Sequence, residues 1–389
     1  MSRWPTITLG ALTEKTRPIQ YGVLKPGPRQ EDGVPMIRVT DISKNYLDTS
    51  DLYKISAPLD AEFKRTRLKG GEVLISIQGT IGRVAICPDK LAGANISRTI
   101  ALIQPDNRVQ PSFLRYCLLY KATGGDLWTV GTTRESLNIG DLRKTPIPVP
   151  SATEQERIVK LLDGADELRK LRAKADRRTA DLIPALFHET FGDPIRNTKR
   201  WEVSRFAEVG KLDRGRSKNR PRDEPNLYGG KYPFIQTGDV ANANGTITEY
   251  SQTYSEKGLA QSRMWPAGTL CITIAANIGK TAILTFPACF PDSLVGFVPG
   301  ETVVADYVRQ WLVTMESRLE EAAPQMAQKN INLKILSELP IPVPPLPLQK
   351  EFTTRVTEIR ELEAQQAASR ERLDALFQSM LHRAFRGEL

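Results

Sequence analysis

Apolar positions along this 389-residue chain follow two alternating regimes. Short runs such as VLISI, VAI and IAL, and later TLCITI and TAILTF, sit between Gly, Pro and Asn turns. Brief apolar runs bounded by turn formers predict mostly short strands with some helix. After about 145 residues the spacing changes. Ile158, Leu161, Ala165, Leu168, Arg172, Ala175, Thr179, Leu182 and Leu186 recur at steps of three and four, with polar lapses at Arg172 and Thr179. That is the seam of a coiled-coil helix. Phe352, Val356, Ile359, Glu363, Gln366, Arg370, Leu373, Phe377 and Met380 follow the same rule, with a polar middle in which Leu362 could substitute. Single polar seam residues fix register at a cost in stability. Helices this long with matched termini are expected to pack on one another. The alternative is two amphipathic helices, each lying on its own domain. Pro184 predicts a kink or stop within the preceding turn of the first helix, and the second helix has no such proline.

The two regimes occur twice. PIPVPSATEQERI (Pro146 to Ile158) matches PIPVPPLPLQKEF (Pro340 to Phe352) at a shift of 194 residues, which superposes Gln155 on Gln349. The same shift lays Leu137-Asn138-Ile139 on Ile331-Asn332-Leu333, and Leu142 on Leu336. GGEVLISIQGTIGRVAI (Gly70 to Ile86) parallels PAGTLCITIAANIGKTAI (Pro266 to Ile283), and PMIRVTDI (Pro35 to Ile42) parallels PFIQTGDV (Pro233 to Val240). A period this long means duplicated domains rather than a solenoid. The prolines of PIPVP stop the preceding element and stiffen the joint in an extended form. The expected organisation is α+β: domain 1–150, long helix 151–192, domain 193–344 and long helix 345–389, with a pseudo-twofold internal repeat.

Composition adds a partner class. Lys and Arg number 54 against 45 Asp and Glu, a net charge of +9. Such a balance favours a polyanion, through long-range attraction and release of condensed counterions. The N-terminal MSRWPTITLG has no long apolar core, so no signal peptide is expected. No stretch approaches the roughly 18 apolar residues that span a bilayer. Cys87, Cys117, Cys271 and Cys289 form no CxxC pair and occupy non-equivalent repeat positions. Reduced, mostly buried thiols in a cytoplasmic protein are the expectation.

Chemistry of its own is hard to find in the chain. Its two histidines, His188 and His382, lie 194 apart at equivalent repeat positions. No Cys or carboxylate cluster supplements either, so no metal site is expected. NIGKT (Asn277 to Thr281) mimics the end of a phosphate-binding loop, but Ile274 stands within the glycine-rich stretch that the full pattern requires. Its counterpart TIGRV (Thr80 to Val84) lacks the motif, and a tight glycine turn between strands is the better reading. The carboxylate pairs Asp163/Asp166 and Glu361/Glu363 read as solvated helix faces, and no nucleophile–base constellation emerges.

One combination of motifs is specific. IPVPSATEQERI, then LFHETFGDP (Leu186 to Pro194), then IPVPPLPLQKEF, then the ending MLHRAFRGEL (Met380 to Leu389) resembles the specificity subunit of type I restriction-modification enzymes over essentially the whole chain. The resemblance implies two target recognition domains, each reading one part of a split, asymmetric site on double-stranded DNA. It implies that the long helices pack as an antiparallel coiled coil, act as a spacer and dock two modification subunits. Those subunits would bind S-adenosylmethionine and methylate adenine at N6, and translocating restriction subunits would complete the assembly. No cofactor would bind this chain, which would be a non-catalytic reader. One departure is that Gln349-Lys350 stands where the first copy has Glu154-Gln155-Glu156.

Candidate DNA contacts divide into phosphate anchors and base readers. The densest basic stretch carries Lys211, Arg214, Arg216, Lys218, Arg220 and Arg222, and it is either a solvated loop or a phosphate clamp. Arg29, Lys44, Arg65, Arg67 and Lys69 are the comparable set in the first half. Side-chain amides and guanidinium groups make two-pronged bonds to adenine and guanine edges. The candidate readers are Gln78, Thr80, Arg83, Asn95, Arg98, Arg134 and Ser136 in the first domain, and Gln236, Asn277, Lys280, Asp292, Gln325, Gln328 and Lys329 in the second. Asn138 and Asn332 read instead as caps of the segment leading to the hinge.

Overall fold

The protein is described by a computed structural model covering residues 4–43, 46–124, 136–218, 221, 224–275, 278–322 and 333–389, side chains of 317–322 apart. It separates into two compact units. Unit 1 comprises Met1–Ala173 with Ala368–Leu389, and unit 2 comprises Lys174–Ala367. Each unit thus contains a recognition-type domain and one end of both long helices.

Unit 1 runs through β1 (Thr6–Thr8), β2 (Gln20–Tyr21), β3 (Val73–Ser76), β4 (Val84–Ile86), β5 (Ile100–Ile103), α1 (Pro111–Thr123) and β6 (Pro146–Pro148), among shorter elements. Its main sheet has the order β2-β5-β3-β4, antiparallel throughout. Every residue of β3 and β5 is buried, which is why these strands read as continuous apolar runs rather than alternating ones. Val73 and Ile75 join the core under α1, beside Phe113, Leu114 and Cys117. Leu74, Ile100 and Leu102 face the opposite way, onto Ile37, Ile42 and Ile96.

The first long helix, α2 (Ala152–Ala180), is followed by α3 (Leu182–Phe191). Unit 2 continues with β7 (Glu202–Arg205), β8 (Gly210–Arg214), β9 (Leu270–Thr273), β10 (Thr281–Leu284), β11 (Leu294–Pro299), α4 (Ala305–Ala322), β12 (Pro340–Val343) and α5 (Leu346–Arg386). The sheet order β8-β11-β9-β10 repeats that of unit 1, and Thr246–Ile247 adds a parallel strand beyond β10. The proline segments are more than stiff joints. β6 pairs antiparallel with β1 (Ile147 opposite Ile7), and β12 with β7 (Ile341 opposite Ser204). In these two-stranded ladders the missing proline N–H groups are tolerated at an edge.

One buried glutamine per unit fixes the angle between hinge and helix. Gln155 Oε1 accepts from Gln110 N (2.8 Å), while its Nε2 donates to Arg108 O (2.9 Å) and Pro150 O (3.1 Å). Gln349 Oε1 accepts from Val304 N (3.0 Å), and Nε2 donates to Thr302 O (3.0 Å) and Pro344 O (2.7 Å). All three partners repeat at the shift seen in the sequence. Both side chains are essentially inaccessible, and both N–H groups and one oxygen lone pair of each amide go into joining three chain segments.

Within each unit the two helices run antiparallel. In unit 1 Arg157 Nη2 donates to Leu389 O (2.5 Å), and twelve residues later Arg169 Nε donates to Asp374 Oδ1 (2.6 Å) with its guanidinium 4.5 Å over the Phe377 ring. In unit 2 Gln366 Nε2 donates to Thr179 Oγ1 (2.9 Å), and Phe187 packs edge-on against Phe352 (5.7 Å). Two polar lapses of the seam, Thr179 and Gln366, are thus hydrogen-bonded to each other. The helix ends also complete the cores. Phe385 meets Phe113 (5.3 Å) in unit 1 as Phe191 meets Tyr307 (4.9 Å) in unit 2. Such pairs contribute roughly 0.5–1.5 kcal/mol beyond their area burial.

The structure corrects part of the seam. Leu161 (39% exposed), Leu168 (50%), Leu182 and Leu362 face outward, and Ile158, Leu162, Ala165 and Thr179 are buried. The early turns of α2 pack on their own domain as well as on α5, because Leu162 joins the α1 core. Ile158, Ala165 and Thr179 thus lie on the buried side as the heptad reading has them, while Leu161, Leu168 and Leu182 turn outward. Pro184 acts as expected: α2 ends at Ala180, and the proline sits in the first turn of α3, where its missing N–H needs no partner.

Replacing Gln155 or Gln349 by Ala should leave one buried N–H and two carbonyls unsatisfied and cost about 2–4 kcal/mol. Urea unfolding followed by circular dichroism measures this, and a loss under 1 kcal/mol in both variants contradicts the clamp.

Candidate nucleic-acid interface

At one end of each main sheet the β-turns, not the helices, gather polar side chains. In unit 1 the turn between β3 and β4 is closed by Ser76, whose Oγ donates to Thr80 O (2.6 Å) and accepts from Arg83 N (2.9 Å), with Gly82 at φ 85°. Unit 2 rebuilds it: Thr273 Oγ1 accepts from Lys280 N (3.0 Å), and Gly279 also has φ 85°. Residues 278–280 thus form the turn into β10, as expected. Backbone bonds tie the turn to its neighbours. Ile77 N donates to Thr99 O (2.8 Å) and Leu137 N to Ile77 O (2.7 Å), and a β-bridge joins Gln78 to Ser136. Gln78, Thr80, Arg98 and Ser136, distant in sequence, are thereby carried on adjoining strands and turns. Thr80, Arg98 and Ser136 are exposed and Gln78 half-buried.

Unit 2 has the same frame. Ile274 N donates to Ser293 O (3.2 Å), beside half-buried Asp292, and the basic segment leaving β8 is anchored by Gly215 N to Leu294 O (2.9 Å) and Arg216 N to Phe290 O (3.0 Å). Lys211, Arg214, Arg216 and Lys218 are exposed. In unit 1 Arg65 and Lys69 are exposed as well.

Other candidates have structural work. Asn95 is wholly buried: its Oδ1 accepts from Thr66 Oγ1 (2.7 Å), and its Nδ2 donates to Asp60 Oδ1 (2.9 Å) and Phe63 O (3.2 Å). It cannot reach a base edge, and that expectation is corrected. Arg67 donates through Nε to the same buried Asp60 (2.6 Å). Arg83 reaches back to Ile42 O (2.8 Å) and Val39 O (3.2 Å), bracing the layer beneath the turn. Arg29 pairs with Asp51, and Lys280 Nζ with Glu316 (2.5 Å). Gln236 precedes a short helix, its N–H donating to Asp239 Oδ2 (2.8 Å). Asn138 caps its helix, its Oδ1 accepting from Gly140 N (2.8 Å). Lys44, Arg134, Arg220, Arg222, Asn277, Gln325, Gln328, Lys329 and Asn332 lie outside the described residues.

The carboxylate pairs are not plain solvated faces. Asp166 is 3% exposed and ion-paired with Arg115 (3.5 Å) and Arg169 (3.3 Å), and Asp163 Oδ1 accepts from Tyr116 Oη (2.6 Å). Glu363 accepts from Asn244 Nδ2 (3.1 Å). His382 stands edge-on to Tyr120 (5.1 Å) in unit 1, and His188 belongs to unit 2. Among the described residues no three His, Cys, Asp or Glu side chains form a metal-binding group. All four cysteines are buried and unpaired, and burial pushes the Cys117 thiol up to about 12. No described helix is long and apolar enough to cross a membrane.

Sequence reasoning missed Tyr21 and Leu24, exposed apolar side chains (47% and 48%) bordering the unit 1 turns. An apolar residue in a strand-rich segment reads as core, so nothing in the sequence marks them.

The features together define a class: a duplicated reader in which paired polar turns sit on two like frames. A family profile, the type I restriction modification DNA specificity domain, matches residues 2–176 and 198–369. The EcoBI type I restriction enzyme specificity subunit of Escherichia coli is 31% identical over 209 residues, 51% of this chain and 43% of that subunit, so the match spans less than half of its length. The MjaX specificity subunit of Methanocaldococcus jannaschii is 24% identical over 364 residues, 88% and 84% of the two chains. Among solved structures, one from work on assembly and conformational transition of the type I R-M system aligns over 99% of this chain and 98% of its own (TM-score 0.63, 20% identity). The type I S subunit from M. genitalium aligns over 99% and 96% (TM-score 0.55, 15% identity). The chain belongs to the type I restriction-modification DNA specificity family.

Asn95→Ala should lower stability by about 2 kcal/mol, since it removes the buried hydrogen bonds to Asp60 Oδ1, Thr66 Oγ1 and Phe63 O, without altering DNA sequence preference. Arg98→Ala should do the reverse. Thermal melts paired with binding to randomised duplexes separate the two, and a shifted sequence preference in Asn95→Ala refutes the scaffold assignment.

Proposed function

We propose that this chain is the sequence reader of a type I restriction-modification complex, with unit 1 and unit 2 each recognising one part of a split, asymmetric site on double-stranded DNA. The observation that carries this is the duplication itself: one backbone frame occurs twice, and the side chains on its polar turns differ. A single small domain discriminates too few base pairs against a genome of competing sites. Two unlike readers at a set interval multiply their selectivities and give a site that is not palindromic. Each long helix contributes to both units, which suits a spacer. A 29-residue α2 rises about 44 Å, somewhat more than one turn of B-DNA.

Reaction chemistry belongs to partners on this reading. Modification subunits carry S-adenosylmethionine and methylate adenine, restriction subunits cleave, and the complex works in the cytoplasm. Leu161, Leu168 and Leu171 stand exposed along α2 in unit 1, an apolar stripe suited to a protein partner. The chain itself then needs neither cofactor nor metal.

Mapping methylated adenines across the genome of a host that expresses the chain with its modification subunits should reveal one bipartite motif. Exchanging residues 1–145 for another reader should change one half of that motif only. Lengthening both long helices by matched turns should change the unread spacing and leave both halves intact. A motif that is continuous, or that changes in both halves on the exchange, contradicts the reading.

A further inference from the structure

The segment leaving the first sheet strand is anchored at a corresponding point in the two units, Val23 N on Ile96 O and Arg216 N on Phe290 O, and carries different chemistry beside its glycine. In unit 1 Tyr21 lies opposite Ala101 on β5. Beyond it Gly22 N donates to Ser97 O (3.4 Å), Val23 N to Ile96 O (2.8 Å), and Arg98 N to Val23 O (2.9 Å). In unit 2 Arg214 lies opposite Val295 on β11, followed by the Gly215 and Arg216 anchors already described. The register of each sheet makes these equivalent: Ile100 pairs with Ser76, and Leu294 with Thr273, the two turn-closing hydroxyl residues. Both pins are glycines by necessity. A Cβ at Gly22 would lie 1.8 Å from Ile96 O, and one at Gly215 2.3 Å from Pro291 O. No side chain fits there, so the backbone of each segment lies flush on the sheet and presents the residues on either side.

Exposed Lys25 and Lys218 occupy the same register position in the two segments, but the residues nearer each glycine differ. Unit 1 presents Tyr21 and Leu24, both about half-exposed. Unit 2 presents Arg214, Arg216 and Lys218, all exposed. Large apolar side chains left in water beside exposed Arg98 cost free energy unless something covers them. Apolar surface in a DNA reader meets thymine methyl groups and base faces, whereas a row of cations meets phosphates and guanine edges. We propose that this glycine-pinned segment is a specificity-determining element of each unit: Tyr21 and Leu24 make apolar base contacts in unit 1, and Arg214 and Arg216 make cationic contacts in unit 2. The proposal rests on the DNA-reading function above and adds the residues and their mode. The two half-sites then respond differently to salt, because apolar contacts release no counterions.

The test uses the full chain with its modification subunits and a duplex carrying the mapped site, titrated over a range of salt concentrations. Tyr21→Ala and Leu24→Ala should each weaken specific over non-specific binding about tenfold, within the range that a mismatched base pair costs, and leave the salt slope unchanged. Tyr21→Phe, which keeps the ring, should restore binding. Arg214→Ala and Arg216→Ala should each reduce the salt slope by roughly one phosphate's worth. Wild-type discrimination in both Tyr21→Ala and Leu24→Ala, or an altered salt slope in them, overturns the proposal while the reading function stands. Loss of binding that Tyr21→Phe fails to restore also overturns it. If the wild-type complex shows no sequence-selective binding at all, the failure lies with the reading function and the proposal falls with it.

Discussion

Orientation in this protein depends on two buried amides. Gln155 and Gln349 each satisfy a backbone N–H and two carbonyls contributed by the strand-rich domain and the proline hinge, at the first turn of a long helix. A buried polar group is costly when unpaired and directional when paired. The helix therefore leaves its domain at one angle rather than a range of them. For the spacer role proposed above that rigidity is needed, since play at the joint would spread over the length of the helix.

Upon that joint the cores close in a shared manner. The end of each long helix supplies aromatic residues to a unit whose domain lies elsewhere in the chain: Phe385 to Phe113, Phe191 to Tyr307. Neither domain completes its core from its own segment alone, which ties helix pairing to domain folding. Duplication preserved this frame and freed the rest. At one repeat position Arg115 faces Asp166 (3.5 Å), but its counterpart Arg309 is set against Arg360, whose own charge is met by Asp306 (2.8 Å). Burial, with Arg360 nearby, lowers the Arg309 pKa to about 10. The contact geometry survived while the charge pattern was rewritten.

Much of this was legible in the residues. The doubled PIPVP and its glutamine, the strand-rich regime, the long helices and the break at Pro184 all depend on local rules: proline geometry, apolar period and turn chemistry; the antiparallel course of the helices came from the family resemblance alone. The site was legible only in outline. Exposed Arg98, Thr80 and Ser136 were named together with Asn95 and Arg67, because type alone cannot tell an amide or guanidinium facing water from one spent on a buried carboxylate. Tyr21 and Leu24 went unread for the converse reason. Three leucines of the α2 seam, Leu161, Leu168 and Leu182, face outward because α2 packs on two surfaces at once, and periodicity reports only that a helix has an apolar side.

The sequence by itself determined the duplication, the element types and the points where helix gives way to hinge, since these follow from interactions among near neighbours. Only the tertiary structure decided which polar side chains are scaffold and which face outward, because that depends on partners dozens of residues away, such as Asp60 for Asn95. It alone also showed that two flush glycines place Tyr21 and Arg214 at one and the same point of a repeated frame, a matter of sheet register that no local pattern encodes.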